Sequence, residues 1–142
     1  MCALWDEPTP SFAGHFVSFA DVVERPRPVQ LPHPPIVIGG HSPAAYRRAV
    51  QAGNGWYGWE LDLEQTARTL AELRETTGRI GRPAGLGDLE ITITPPGTID
   101  IDAARRYADL GVHRLAIQPH TMDGSAIEEL ITTVGETLVG RV

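Results

Sequence analysis

The stretch Ile36-Val-Ile-Gly-Gly-His-Ser-Pro-Ala-Ala-Tyr-Arg-Arg-Ala49 decides how the rest of the chain is read. Three β-branched residues running into two glycines have the pattern of a short strand buried on both faces, as in a parallel sheet. Ser42-Pro43 then places a side-chain oxygen at a helix N-cap and a proline at the first helical position, where its missing N–H is harmless. Ala44 to Ala52 continue as helix, and Gly53 ends it.

The same unit recurs towards the C-terminus. Gly55-Trp-Tyr-Gly-Trp59 is a second short apolar segment. It leads into a helix from Leu61 to Thr77, where Leu63, Ala67, Leu70, Ala71 and Leu73 approximate helical spacing. After a Gly/Pro-rich loop, Leu89 to Thr94 is the clearest strand, closed by Pro95-Pro96-Gly97. Residues 100–110 form a helix stopped by Gly111, Arg114 to Gln118 a fourth strand, and Gly124 to Leu138 a last helix. Strand and helix alternate four times, which predicts an α/β fold with a parallel sheet and helical crossovers. Periodicity leaves two architectures open: a small doubly wound sheet, or half of an eight-stranded barrel. The mid-chain position of the first strand leans towards a partial domain.

Towards the N-terminus, residues 1–35 read as an arm. Leu4 and Trp5 look like the frayed end of a helix. Phe12, Phe16 and Phe19 flank a turn at Ala13-Gly14, a short hairpin in which Gly14 is expected to supply a positive φ. Pro26, Pro28, Pro32, Pro34 and Pro35 make the next stretch a stiff extended connector. The whole reads as a single partial domain, with 1–35 as arm and 36–142 as four βα units.

Composition narrows the partners. A net charge of −6 repels nucleic acid and anionic membrane surfaces, with Arg47 and Arg48 the nearest thing to a basic patch. Cys2 is the single cysteine, so no intrachain disulfide and no cysteine-ligated zinc are expected. No run approaches the roughly 18 apolar residues of a membrane span, and no signal-peptide pattern opens the sequence. A cytoplasmic protein is expected. His15, His33, His41, His113 and His120 are scattered without metal-ligand spacing, so no metal is assigned.

The best site candidate is the turn Gly39-Gly40-His41-Ser42. Glycines allow close backbone approach, and a helix N-terminus presents unpaired N–H groups and a positive dipole end, which suits a phosphate. The alternative is a tight βα turn with a serine N-cap. Trp56, Tyr57 and Trp59 either stack on a planar ring at a pocket mouth or are core aromatics under a loop. His120, just past the fourth strand, is either a functional group or a solvated loop histidine.

Arg25-Pro-Arg-Pro-Val-Gln-Leu-Pro-His-Pro-Pro-Ile-Val-Ile-Gly-Gly-His-Ser-Pro-Ala-Ala-Tyr-Arg-Arg-Ala49, followed by Gly53-Asn-Gly-Trp56, resembles the luciferase-like monooxygenase family. It is most similar to the branch using the deazaflavin coenzyme F420. That family shows Pro-Lys-Pro-x-Gln, then Pro-Pro-Ile-x-Ile-Gly-Gly-x-Ser, then Asp-Gly-Trp. Here Arg27 stands where lysine is common and Asn54 where aspartate is usual. The resemblance covers nearly all of the chain. It implies the C-terminal half of a TIM (β/α)8 barrel, with the coenzyme phosphate at Gly39, Gly40, His41 and Ser42 and part of a wall at Trp56. It further implies hydride transfer between F420 and an organic substrate in an intact parent, or an FMN-dependent monooxygenase. The half-barrel alone is expected to be inactive. The reading from a different class is a non-catalytic remnant or interaction fragment. Such a chain should form a homo-oligomer or pair with a missing N-terminal half. No catalytic residue is assigned.

Overall fold

The computed structural model describes residues 2–141. The chain divides into two compact units, Met1–Pro35 and Ile36–Val142. The first holds a short helix α1 (Cys2–Asp6) and an antiparallel hairpin, β1 (Phe12–Ala13) with β2 (Ser18–Phe19), pairing Phe12 with Phe19. The hairpin turn differs from expectation. Gly14 is not among the positive-φ residues, and the turn runs from Gly14 to Val17, closed by the Gly14 N–H donating to Val17 O at 2.9 Å. A Cβ on Gly14 would lie 2.6 Å from Phe12 Cε1, so glycine makes room for the ring rather than for a left-handed backbone. The proline-rich stretch forms no helix or strand.

The second unit alternates strand and helix: β3 (Val37–Gly39), α2 (Pro43–Ala52), β4 (Gly55–Gly58), α3 (Leu63–Ile80), β5 (Glu90–Ile93), α4 (Ile101–Leu110), β6 (Arg114–Leu115) and α5 (Gly124–Thr137). The strands lie in sequence order, β3-β4-β5-β6, and all pair in parallel. The fourth strand is shorter than expected, two residues, although the Ala116 N–H still donates to Ile93 O at 2.9 Å. α2 begins as its sequence requires: Ser42 Oγ accepts from the Ala45 N–H at 3.2 Å, with Pro43 at the first position. At α3, Asp62 and Gln65 complete a reciprocal capping box.

The core lies on one face of this sheet. Ile38 and Trp56 share a register line with Ile91, and Gly58 shares one with Ile93. These side chains pack with Tyr46 and Ala49 of α2, Leu70 and Leu73 of α3, and Tyr107 of α4. The buried side of α3 differs from the leucine–alanine pattern: Thr66, Thr69 and Thr76 are buried beside Leu70 and Leu73, while Ala71 is exposed. Thr69 there meets the Tyr46 hydroxyl of α2 through a side-chain hydrogen bond, a partner that hydropathy spacing does not record.

The opposite face carries Gly39, Tyr57, Thr92 and Arg114 on one register line. Here β3 departs from expectation. Val37 is 47% exposed, so the strand is not buried on both faces. It is an edge strand paired only with β4, and Val37 points away from the helix-packed core. None of the described helices is long and apolar enough to cross a membrane.

Candidate functional site

In a parallel sheet with helical crossovers, all strands deliver their carboxyl ends to one rim, and ligands bind there. On this rim stand the Gly39–Ser42 turn after β3, Trp59 and Glu60 after β4, Thr94 after β5, and Gln118 with His120 after β6.

The turn after β3 is built for close approach from outside. Gly39, Gly40, His41 and Ser42 are all exposed. Gly40 adopts φ +111, and a Cβ there would lie 3.2 Å from the Ala45 Cβ. Glycine is thus required both by conformation and by space. The amides of His41, Ser42 and Ala44 have no protein acceptor among the described residues. They sit at the N-terminus of α2, the positive end of its dipole. Ser42 reconciles its two sequence readings. Its Oγ caps the helix by accepting from Ala45, and its hydroxyl proton remains available to donate to an anion.

Trp56 is fully buried, on the core side of the sheet. It lines no surface; it braces the turn from beneath. Its indole N–H donates to Gly40 O at 3.0 Å, and its ring meets His41 and Tyr46 edge-on, with centroids 5.7 Å and 5.9 Å away. Of the other two aromatics, Tyr57 is half-buried on the opposite face, its hydroxyl 2.7 Å from Thr94 Oγ1. Trp59 stands on the same face, 46% exposed, its ring 6.4 Å from that of Tyr57. Tyr57 Cδ1 would lie 3.9 Å from a Cβ on Gly39, so Tyr57 borders the glycine turn. Trp56 is therefore a core aromatic, whereas Tyr57 and Trp59 lie outside the core cluster.

Asn54 proves structural. Its Oδ1 accepts from the Ile36 N–H at 2.8 Å while its backbone N–H donates to Ile36 O at 2.7 Å, clasping the start of β3. An aspartate could accept the same bond. His120 is an exposed loop residue, and His113 lies at the other end of β6, its Nδ1 accepting from the Ile91 N–H at 3.0 Å. The Tyr57–Thr94 pair and the hydrogen bond from the Tyr107 hydroxyl to Leu61 O, 2.9 Å long and just before α3, were invisible in the sequence. Both depend on partners more than thirty residues apart.

The profile of the luciferase-like monooxygenases matches residues 1–134 of this chain. The chain belongs to that family. The (β/α)8 barrel of that family accounts for the four parallel strands alternating with helices. An uncharacterized Mycobacterium tuberculosis protein (strain ATCC 25618 / H37Rv) is 29% identical over 126 residues, covering 87% of this chain and 41% of the relative. Another from the same strain is 28% identical over 115 residues, covering 79% and 38%. The FMNH2-dependent dimethylsulfone monooxygenase of Pseudomonas putida is 41% identical over 84 residues, covering 59% of this chain and 23% of that enzyme. Among solved structures, monooxygenase RslO1 from Streptomyces bottropensis aligns over 93% of this chain and 37% of its own, with 21% identity and a TM-score of 0.48. The chain thus spans 38–41% of the length of the mycobacterial relatives.

Proposed function

We propose that this chain carries the phosphate-holding part of a flavin-type coenzyme site in a luciferase-like oxidoreductase, with reduced FMN the coenzyme best supported. The observation that carries the reading is the Gly39–Ser42 turn. It has an open glycine backbone, free amides at a helix N-terminus and a serine hydroxyl proton to spare, at the carboxyl end of a parallel strand. That donor set suits a phosphate monoester or diester, and both FMN and F420 bring one. The FMNH2-dependent relative favours flavin, while the Pro-x-Pro-x-Gln and Ile-Gly-Gly-x-Ser signature keeps F420 as the competing coenzyme.

The bound coenzyme would supply the redox chemistry, oxygen activation for reduced FMN or hydride exchange for F420. The chain's own part is narrower. Amides of the turn and Ser42 Oγ hold the phosphate, and Trp56 fixes the turn through Gly40 O. Tyr57 and Trp59 form an aromatic wall beside it, on the face where the ring and an organic substrate would lie. The remaining walls call for further βα units. We propose that a second copy of the chain, or an N-terminal half-barrel, supplies them, because the β3 edge leaves Val37 47% exposed. The working compartment proposed is the cytoplasm.

Titration of the purified chain with FMN and with F420, read by fluorescence, tests the coenzyme. Saturable binding of FMN is expected, weakened about tenfold by Ser42→Ala, the loss of one charge-assisted hydrogen bond. Preferential binding of F420 at the same turn would assign the deazaflavin branch instead. Failure of both coenzymes to bind would end the reading. Sedimentation of the same preparation should show an associated species, and a monodisperse monomer that melts cooperatively would count against the need for partner units.

A further inference from the structure

The corner between β4 and α3 holds a side chain in a backbone conformation that L residues disfavour. Glu60 has φ +48, and Asp21 in the other unit is the one further non-glycine with positive φ among the described residues. Elsewhere the chain places glycine at such positions, as at Gly40, Gly81, Gly97 and Gly111. The corner is held by its next residue. The Leu61 N–H donates to Thr94 O at 3.2 Å, Leu61 O accepts from the Tyr107 hydroxyl at 2.9 Å, and the Leu61 side chain is buried.

Glu60 contributes nothing to that anchoring. It is exposed, and it enters no ion pair or side-chain hydrogen bond among the described residues. Nor does α3 need its charge, since Asp62 caps the helix and Glu64 already lies in the first turn. A folding role would be served better by glycine. A disfavoured conformation fixed by its surroundings at the rim of a ligand face is where function, rather than stability, selects a side chain. Directly before it, Trp59 presents a 46% exposed indole on the Tyr57 face.

We propose that Trp59 and Glu60 form the substrate-recognising corner of this site and that the group they recognise is an organic cation. An indole face attracts a cation through its quadrupole, and an adjacent carboxylate supplies the countercharge. An alkylammonium or protonated nitrogen base meets both demands. The chain's acidic balance, −6, favours the approach of such a cation. The proposal rests on the reading of this rim as the coenzyme and substrate face.

Choline and its uncharged isostere 3,3-dimethyl-1-butanol are the probes, added to the full chain. The readout is the indole N–H NMR signal of Trp59, identified among the three tryptophans through Trp59→Phe. Choline should shift that signal saturably, and the alcohol should bind about fivefold more weakly or not at all. Glu60→Gln and Glu60→Gly should each weaken choline by about fivefold. Glu60→Gly also relieves the backbone strain, so its Tm should rise and misfolding cannot explain the lost response. FMN titration of Glu60→Gln should match the parent chain. Equal binding of alcohol and choline, or choline binding indifferent to both Glu60 variants, would overturn the proposal. A lost cation response with FMN binding intact sinks this inference alone. A choline response without any FMN binding leaves a cation site but removes its role as a substrate corner.

Discussion

The indole of Trp56 has no exposed surface, yet its N–H ends on the carbonyl of Gly40, the residue at the bend of the candidate phosphate turn. The turn is therefore set from two sides, by the steric limit at Gly40 and by a hydrogen bond from the core. Gly40→Ala should destabilise the chain by about 1–2 kcal/mol, because φ +111 is costly for alanine and the new methyl meets Ala45. Trp56→Phe should cost about 2–4 kcal/mol through the orphaned Gly40 carbonyl and the smaller ring. Urea unfolding measures both losses. The same two variants should lose FMN affinity, although Trp56 itself lines no ligand surface. Stability lost with affinity intact would mean that the turn does not need its brace. The sequence announced the glycines and the serine cap because those are local backbone requirements. It could not announce the Gly40–Trp56 bond, which spans sixteen residues and two elements.

Among the elements, α2 was legible to its ends because Ser42, Pro43 and Gly53 are local stop and start signals. The inner side of α3 was not, because its buried threonines are chosen by what packs against them and not by hydropathy. Arg82 shows the same limit. Read as part of a loop, it is the clamp between elements. Its guanidinium donates to Ala49 O and Val50 O in the last turn of α2 at 3.2 Å and 3.1 Å, and to Gly87 O and Leu86 O at 2.6 Å and 3.2 Å. Val50 O is among the carbonyls that a helix end leaves short of partners, while Ala49 O also accepts from the Gly53 N–H at 3.1 Å. Burial lowers the Arg82 pKa, with the charge of Asp88 opposing the effect. Arg82→Ala should cost about 2–3 kcal/mol, and Arg82→Lys should recover only part of it, since an ammonium cannot reproduce the planar fork. Hydrogen exchange should localise the damage to the C-terminal turn of α2 and to residues 84–88. Uniform loss of protection across the sheet would show that the clamp is not local.

For the molecule as a whole, the alternation of strand and helix fixed the fold class, but an open sheet and a half-barrel share that alternation. Only the family motif around Gly39–Ser42 separated them, since nothing in periodicity records how a sheet closes. One whole-molecule property does follow from the core. Tyr46 and Tyr107 are 4% and 3% exposed, one on α2 and one on α4, and both belong to the cluster that joins helices to sheet. Burial raises both pKa values above the ordinary 10.0; around Tyr46 the Thr69 hydrogen bond partly opposes it, and around Tyr107 the charge of Asp62 adds to it. A folded-state pKa above the unfolded one means that the folded chain holds more protons once pH passes the unfolded value. The corresponding stability is complete below about pH 10 and is lost as pH rises through the folded values. The chain has no lysine, so no ammonium side chain titrates in that window and the tyrosines dominate it. The urea midpoint should therefore hold steady from pH 8 to about pH 10 and fall above it, with tyrosinate absorbance from two of the three tyrosines appearing together with unfolding. Tyr107→Phe should start from a lower midpoint, having lost the bond to Leu61 O, and decline less steeply. A native chain that ionises all its tyrosines near pH 10 with its circular dichroism unchanged would contradict the buried positions of both phenols.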